Sequence, residues 1–171
     1  MEYDKGFYQN NFFRLERYRV SADKHSESER EENEAIVKIV VPAANAKGRI
    51  GKSFIAENQQ ENKKFISLTA TANGRGTVDA LDSALRKILE PIYPFIKDVR
   101  LIRYGVTNTT AKKGTAAEVE VFILASNAEG KLYFSEVSSY SVIEASFFAL
   151  SNIYNRYFRD EYENKRRGGK C

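Results

Sequence analysis

The side chains that perform most protein chemistry are scarce in this sequence. His25 is the only histidine, and Cys171, the last residue, is the only cysteine. A metal site with two histidine ligands and a zinc site built from cysteines are therefore excluded within one chain. Asp79 and Asp82 stand at i and i+3 near the start of a predicted helix, and no nucleophile or base joins them. The sequence thus predicts no catalytic residue, no metal site and no cofactor.

A glycine turn is the feature whose spacing suits binding chemistry. Gly74, Arg75 and Gly76 stand directly before a predicted helix. Glycines allow backbone N–H groups to approach a ligand closely, and the N-terminus of a helix attracts anions. Arg75 could add a bidentate contact to a carboxylate, and Asp79 could either cap the helix or bind an ammonium group. A tight turn that only leads into a helix is the alternative interpretation.

Apolar periodicity predicts the elements that position this turn. The first half contains predicted strands over 12–20, 35–41 and 65–72, and a helix capped by Thr77 with its core residues at Val78, Leu81, Leu85 and Ile88. The second half repeats the order, with strands over 99–106, 116–125 and 131–137 and a helix that opens at the Ser141–Glu144 capping box. We expect a solvated loop over 21–34 and a long mobile connection over 43–63.

The two halves agree in residues as well as in element order. Residues 15–20 (LERYRV) align with 101–106 (LIRYGV), and 78–80 (VDA) align with 143–145 (IEA). Three strands with one helix cannot close a core alone, so two such units must pack together. The predicted fold class is α+β, with two tandem pseudo-symmetric β-β-β-α units, their antiparallel sheets covered by helices. The predicted division is a lead-in over 1–11, one domain over 12–163 with repeats over about 12–90 and 99–163, and a basic tail over 164–171.

Three stretches resemble one known family. Residues 74–88 (GRGTVDALDSALRKI), 101–123 (LIRYGVTNTTAKKGTAAEVEVFI) and 141–150 (SVIEASFFAL) resemble the C-terminal regulatory domain of 2-isopropylmalate synthase and citramalate synthase. The resemblance covers about residues 12–158 in the correct order. Arg75 stands where the family usually has Asn, Thr77 where it has Pro, and Phe147 where it has Trp. The 41–64 segment is also longer than the corresponding connection in the family.

The resemblance implies a regulatory domain that forms a homodimer and binds an end-product branched-chain amino acid, leucine or isoleucine, between subunits. The carboxylate of that ligand would bind at the Gly74–Gly76 turn. The candidates for its apolar pocket, each of which could instead be a core residue, are Tyr104, Val106, Ala116, Ala117 and Val119. We also expect part of the aromatic surface of the last helix to form the dimer interface, with a thick core as the alternative.

The function implied is feedback control of leucine biosynthesis, without catalysis by this chain itself. A catalytic (β/α)₈ barrel needs about 200 to 250 residues, and the chain has 171. It would be either a stand-alone regulatory subunit, with a catalytic synthase chain as a partner, or a fragment. One alternative is a dimerisation scaffold whose ligand pocket has degenerated. A nucleic-acid binder is another, but the net charge of +4 is small and the acids and bases are interspersed.

The sequence also favours a cytoplasmic location. No apolar run approaches the 18 residues or so that span a membrane, and the first residues lack the apolar core of a signal peptide. We therefore expect no membrane association.

Overall fold

The computed structural model describes residues 12–24, 31–46, 49, 65–108 and 117–168. In the first unit these residues form β1 (Arg14–Lys24), β2 (Glu31–Pro42), the one-turn helix α1 (Ala43–Ala46), β3 (Phe65–Gly74) and α2 (Thr77–Leu89). A short 3₁₀ helix (Pro94–Asp98) joins the units. The second unit contains β4 (Arg100–Asn108), β5 (Val119–Ser126), β6 (Leu132–Ser139) and α3 (Val142–Gly168).

The strands form two antiparallel sheets with the orders β1-β2-β3 and β4-β5-β6. This arrangement confirms the α+β class and the two tandem β-β-β-α units. The repeat extends to an irregularity of the backbone, because β1 changes register between Leu15 and Arg17, and β4 changes register between the aligned residues Leu101 and Arg103. A bulge bends a strand and increases its local twist. The two units therefore share a detail of backbone shape as well as a sequence pattern.

The core lies between each sheet and the helices. Strand β2 shows why, since its alternate residues Ala35, Val37, Ile39 and Val41 are fully buried and therefore share one face. Helix α2 packs on β2 and β3, helix α3 packs on β5 and β6, and the two helices also contact each other. One continuous hydrophobic cluster joins the units.

The hairpin of the first sheet is longer than predicted. Residues 21–24 and 31–34 were expected in a solvated loop, but β1 continues to Lys24 and β2 begins at Glu31. The ladder pairs Ser21 with Glu34. Antiparallel pairing tolerates polar side chains where a face is solvated, so apolar periodicity alone ended both strands too early. The middle of the predicted loop and most of the predicted 43–63 connection lie outside the described residues.

Helix α3 is also longer than predicted. The basic tail was expected from residue 164, but the helix continues to Gly168. The Lys165 Nζ atom lies 4.9 Å from the centre of the Phe95 ring. Basic side chains at the C-terminus of a helix also interact favourably with the helix dipole. These two effects explain why the basic residues extend the helix, so residues 164–168 of the predicted basic tail are helical.

The aromatic residues of α3 mostly fill the core of their own chain. Phe147, Tyr154, Tyr157 and Phe158 are buried, whereas Phe148 is 41% exposed. The Phe158 ring lies with its centre 4.6 Å from that of Tyr93, which belongs to the connection between the units. The thick-core interpretation is therefore correct for this helix, and the expected interface surface on it is reduced to Phe148.

A polar link crosses the core between α2 and α3. The Tyr154 hydroxyl donates to Asp82 Oδ1, and Arg86 Nε donates to Asp82 Oδ2 at 2.9 Å. The same guanidinium group donates to the carbonyl oxygens of Ile96 at 3.2 Å and Val99 at 3.0 Å. Burial raises the pKa of Tyr154 well above its ordinary value, so the hydroxyl stays protonated and donates. Asp82 therefore holds the two units together.

Replacing Tyr154 by Phe should lower the free energy of unfolding by about 1–3 kcal/mol, because the partly buried Asp82 carboxylate loses a donor that water cannot easily replace. Urea denaturation followed by circular dichroism measures the change. Tyr140→Phe is the matched control, since Tyr140 is 74% exposed and should change stability by less than about 0.5 kcal/mol. Equal stabilities of the two variants would contradict a structural role for the link.

The stability of the protein should decrease in alkaline solution. Burial raises the pKa values of Tyr93, Tyr133, Tyr154 and Tyr157 above the ordinary value. Folding therefore favours the protonated phenols, and this contribution is complete below the unfolded pKa of about 10 and is lost as the pH rises above it. Urea unfolding between about pH 8 and pH 11.5 should show a steady free energy up to about pH 10 and a fall beyond it. An unchanged free energy across that range would contradict the prediction.

Candidate functional site

The glycine turn connects β3 directly to α2. Gly76 is the N-cap residue, with extended backbone angles of φ −151° and ψ 169°, and Thr77 is the first helical residue rather than the predicted cap. The Ala80 N–H donates to the Gly76 carbonyl at 2.9 Å. The N–H groups before it have no carbonyl partner inside the helix, and glycine offers no side chain to cap them. These groups belong to Thr77, Val78 and Asp79.

The two glycines of the turn serve different purposes. A Cβ atom on Gly74 would lie 2.2 Å from the backbone nitrogen of Ala80 and 2.7 Å from its Cα. Glycine at this position therefore allows the end of β3 to pack against the first turn of α2. A Cβ atom on Gly76 would meet no described atom within 4 Å. Among the described residues the turn is consequently open at the Gly76 Cα, next to the first residues of α2.

The acidic residue at the start of α2 is already engaged. Asp79 Oδ2 accepts the backbone N–H of Arg75 at 2.8 Å. Two roles were considered for Asp79, capping and ammonium binding. One carboxylate oxygen is already used for a hydrogen bond to the backbone of the turn, which corresponds to the first role. The Arg75 side chain is exposed, so it is free to turn towards an anion or towards solvent.

Asn33 lies beside the turn and was not identified from the sequence. Strand β2 pairs Asn33 with Gly74, and Asn33 Nδ2 donates to the Arg75 carbonyl at 3.5 Å. The residue is 2% exposed, and its Oδ1 atom has no hydrogen-bond partner among the described atoms. A signal was present in the sequence, because the alternation of β2 extended backwards from Ala35 places Asn33 on the buried face.

The remaining candidate residues lie in the second unit. Tyr104 and Val106 share the inner face of β4, since they pair with the buried residues Ile123 and Val121. Ala117 is buried and Val119 is half-buried, whereas Ala116 lies outside the described residues. Helix α2 packs on β2, β3 and α3 and makes no substantial contact with β4. One copy of the chain therefore does not bring this group to the glycine turn.

The inner face of β4 carries the same three residue types as the inner face of β1. In β1 the leucine, tyrosine and valine pack against the core, and the Tyr18 ring stacks on Phe147 of α3 with centroids 6.1 Å apart. In β4 the exposed fractions are 37%, 42% and 41%, for Leu101, Tyr104 and Val106. Helix α3 reaches this face where the hydroxyl groups of Tyr104 and Ser146 share a hydrogen bond at 3.0 Å. The second unit thus leaves its strand face more exposed than the first unit does.

The N-terminus of α3 is closed by its own side chains. Glu144 N–H donates to Ser141 Oγ at 3.3 Å, and Ser141 N–H donates to Ser139 Oγ at 3.1 Å. The Ser139 hydroxyl donates in turn to the Glu144 carboxylate. The Ser141 half of the predicted capping box is therefore confirmed, whereas the Glu144 carboxylate reaches the Ser141 N–H only through the Ser139 hydroxyl. The equivalent ends of the duplicated helices therefore differ, since side chains cap α3 and leave α2 open.

Two further features of the described residues bear on function. No group of three or more histidine, cysteine, aspartate or glutamate side chains within them is placed to hold a metal ion. None of the helices in this part of the chain combines the length and the apolar character needed to cross a membrane.

The described residues define a duplicated α+β domain of two β-β-β-α units. The family model described as the LeuA allosteric (dimerisation) domain matches residues 1–158. The chain belongs to this family, which confirms the resemblance found in the sequence.

Several relatives are similar over part of their length. The (R)-citramalate synthase of Geobacter sulfurreducens is 33% identical over 132 residues, which cover 69% of this chain and 25% of the relative. The enzyme of the same name from Aquifex aeolicus is 42% identical over 92 residues, which cover 53% and 17%. That of Sulfolobus acidocaldarius is 40% identical over 90 residues, with the same two shares. The chain thus spans a quarter or less of the length of these relatives.

Alanine should destabilise the protein much more at Gly74 than at Gly76. Gly74→Ala should lower the free energy of unfolding by more than about 2 kcal/mol, because the new Cβ would clash with backbone atoms of α2. Gly76→Ala should cost less than about 1 kcal/mol, because the Cβ enters open space and only a good N-cap residue is lost. Urea denaturation of both variants checks this, and similar losses would contradict the different roles of the glycines.

Proposed function

We propose that this chain is a non-catalytic regulatory domain or subunit of a 2-isopropylmalate synthase-type enzyme, and that it binds leucine or isoleucine for feedback control. The single observation that carries the proposal is the open, uncapped start of α2 at the Gly74–Gly76 turn, in a member of this family. Leucine, as the end product of its pathway, is the first choice of ligand. A catalytic synthase chain is the partner whose activity would respond, and both would act in the cytoplasm.

The start of α2 suits the carboxylate of an amino acid. The N–H groups of the first turn point out of the helix, and the helix dipole adds a partial positive charge at the same end. The open space at Gly76 gives a ligand access to them. A ligand with the roughly nine non-hydrogen atoms of leucine can reach micromolar affinity within the known limits of ligand efficiency. Control at metabolite concentrations is therefore physically reasonable.

The uncovered inner face of β4 supports self-association. Its leucine, tyrosine and valine correspond to β1 residues that are partly buried against the core, of which Tyr18 stacks on Phe147 of the other unit. A second copy of the chain would supply the missing cover, because the residue pattern on β4 is one that packs on a helix. Association through β4 would also allow Tyr104 and Val106 to line the apolar side of a ligand site between subunits.

The second candidate is a dimerisation scaffold that no longer binds an amino acid. It is favoured by the substitutions in the turn, where Arg75 and Thr77 replace the usual Asn and Pro of the family. The two candidates share the dimer and differ in the response to ligand.

Leucine, isoleucine or valine should stabilise the protein against heat. A concentration of 100 Kd should add about 2.7 kcal/mol to the free energy of unfolding, which a thermal-shift assay detects. Gly76→Ala should fold and bind at least about tenfold more weakly, because its Cβ would occupy the space of the carboxylate. Ser141→Ala is the matched control, since it removes the cap of α3 at a cost of about 1 kcal/mol and leaves the ligand site intact. If none of the three amino acids changes the melting temperature, the scaffold hypothesis replaces the sensor.

The chain should form a dimer in solution through β4. Light scattering should give twice the chain mass of 19.5 kDa. Val106→Asp should shift the dimer towards monomer, because a charge would be buried in the interface. Phe134→Asp is the matched control, because Phe134 is 48% exposed on the opposite face of the same sheet. Dissociation by Phe134→Asp and not by Val106→Asp would place the interface on the other face.

A further inference from the structure

We infer that Asn33 Oδ1 is the acceptor for the α-ammonium group of the bound amino acid, so that the site recognises both charged groups of its ligand. This inference rests on the proposed function and deepens it, because it assigns a residue of β2 to ligand recognition. It also limits the ligand class to free α-amino acids and excludes the oxo acids of the same carbon skeleton.

The first argument is the state of the Asn33 amide. The side chain is 2% exposed, and Oδ1 has no partner among the described atoms. A buried carbonyl oxygen without a hydrogen bond destabilises a protein, and native structures pair nearly all such groups. A ligand that donates a hydrogen bond to this atom would satisfy it in the bound state.

The second argument is the orientation of the amide. Asn33 Nδ2 donates to the carbonyl of Arg75, the residue that precedes the N-cap Gly76. This bond identifies Nδ2 as the amide atom that faces the backbone of the turn and leaves Oδ1 for another donor. The pairing of Asn33 with Gly74 across β2 and β3 holds the residue beside the turn.

The third argument is chemical complementarity. The start of α2 offers backbone donors and a positive dipole, which select a carboxylate. The Asn33 carbonyl oxygen is an acceptor only, which selects an ammonium group and repels the oxygen of an oxo acid. In an α-amino acid both charged groups are attached to the same carbon atom, so a suitable site must place its donors and its acceptor side by side. The pairing with Gly74 and the hydrogen bond to Arg75 place the Asn33 amide against the residues that lead into those donors.

A neutral acceptor is the appropriate choice at this position. A buried carboxylate would carry a large desolvation cost in the unbound protein and would repel the ligand carboxylate. Asp79 is the nearest acid along the turn, but it is exposed and one of its oxygens already accepts from Arg75. Asn33 is therefore better placed than Asp79 to meet the ammonium group.

The experiment compares leucine with 4-methylpentanoate, which is leucine without its amino group, by calorimetric titration of the full chain. If isoleucine binds more tightly, isoleucine and 3-methylpentanoate replace this pair. Wild type should bind the amino acid about 10- to 100-fold more tightly than the des-amino acid. Asn33→Leu, which has a similar shape and no acceptor, should bind both compounds with similar, weak affinity. Its melting temperature without ligand should be equal to or above that of wild type, because an unpaired buried oxygen is removed.

Two further variants make the comparison specific. Asn33→Asp keeps an acceptor but places a negative charge near the ligand carboxylate, so it should bind both compounds more weakly than wild type while still preferring the amino acid. Unchanged affinities of this variant for both compounds would overturn the role of Asn33, also where Asn33→Leu does not fold. Ser151→Ala is the matched control, because Ser151 Oγ is likewise buried without a partner among the described atoms but belongs to α3. It should leave both affinities unchanged.

The outcomes separate this inference from the proposed function. Loss of the preference for the amino acid in Asn33→Leu, and its retention in Ser151→Ala, supports the role of Asn33. Wild type that binds both compounds equally, or Asn33→Leu that keeps the wild-type preference, overturns that role while the sensor function stands. If wild type binds none of leucine, isoleucine and valine, the proposed function fails and the inference fails with it.

Discussion

The structure depends on a mismatch between the width of a sheet and the width of a helix. Three strands spaced about 4.8 Å apart present an inner face wider than one helix of about 10 Å diameter can cover. Each unit therefore needs cover from outside itself for its first strand. In the first unit α2 itself contacts β1, and α3 adds to that cover where Phe147 stacks on Tyr18. The hydrogen bond between Tyr154 and Asp82 connects α3 to α2, which helps to keep α3 in position against β1.

The sequence was sufficient for the architecture because the repeat and the apolar periodicity agreed. The inner faces of β2 and α2 follow directly from residues such as Val37 and Leu85, which are buried as their spacing predicts. The ends of the helices and strands could be predicted less well from the sequence. Strand β2 begins at Glu31 because the backbone ladder continues where apolar alternation stops. Helix α3 passes residue 164 because Lys165 contacts the Phe95 ring of a distant segment, and no local pattern reports that contact.

Part of the candidate site could likewise be predicted from the sequence, and part of it required the structure. The glycine turn could be identified from the sequence, but the different roles of its glycines could not, because they depend on how closely α2 approaches β3 at Ala80. Asn33 was missed because its neighbours are polar and suggested a loop. The contrast between the two helix starts also needs coordinates. It depends on Ser139 and Ser141 reaching back to α3 and on the absence of any side chain at Gly76.

The bulge that β1 and β4 share has a consequence for the history of the chain. An irregularity at the same aligned position in both strands is what the copying and fusion of one ancestral unit would produce. A single unit of this kind would have exposed the face of its first strand. It would have been stable only when a helix of a second polypeptide packed on that face. Fusion of two such units would have made the packing of a helix on the first strand of the other unit an intramolecular contact in one half of the molecule. In the other half the first strand still has partly exposed apolar residues.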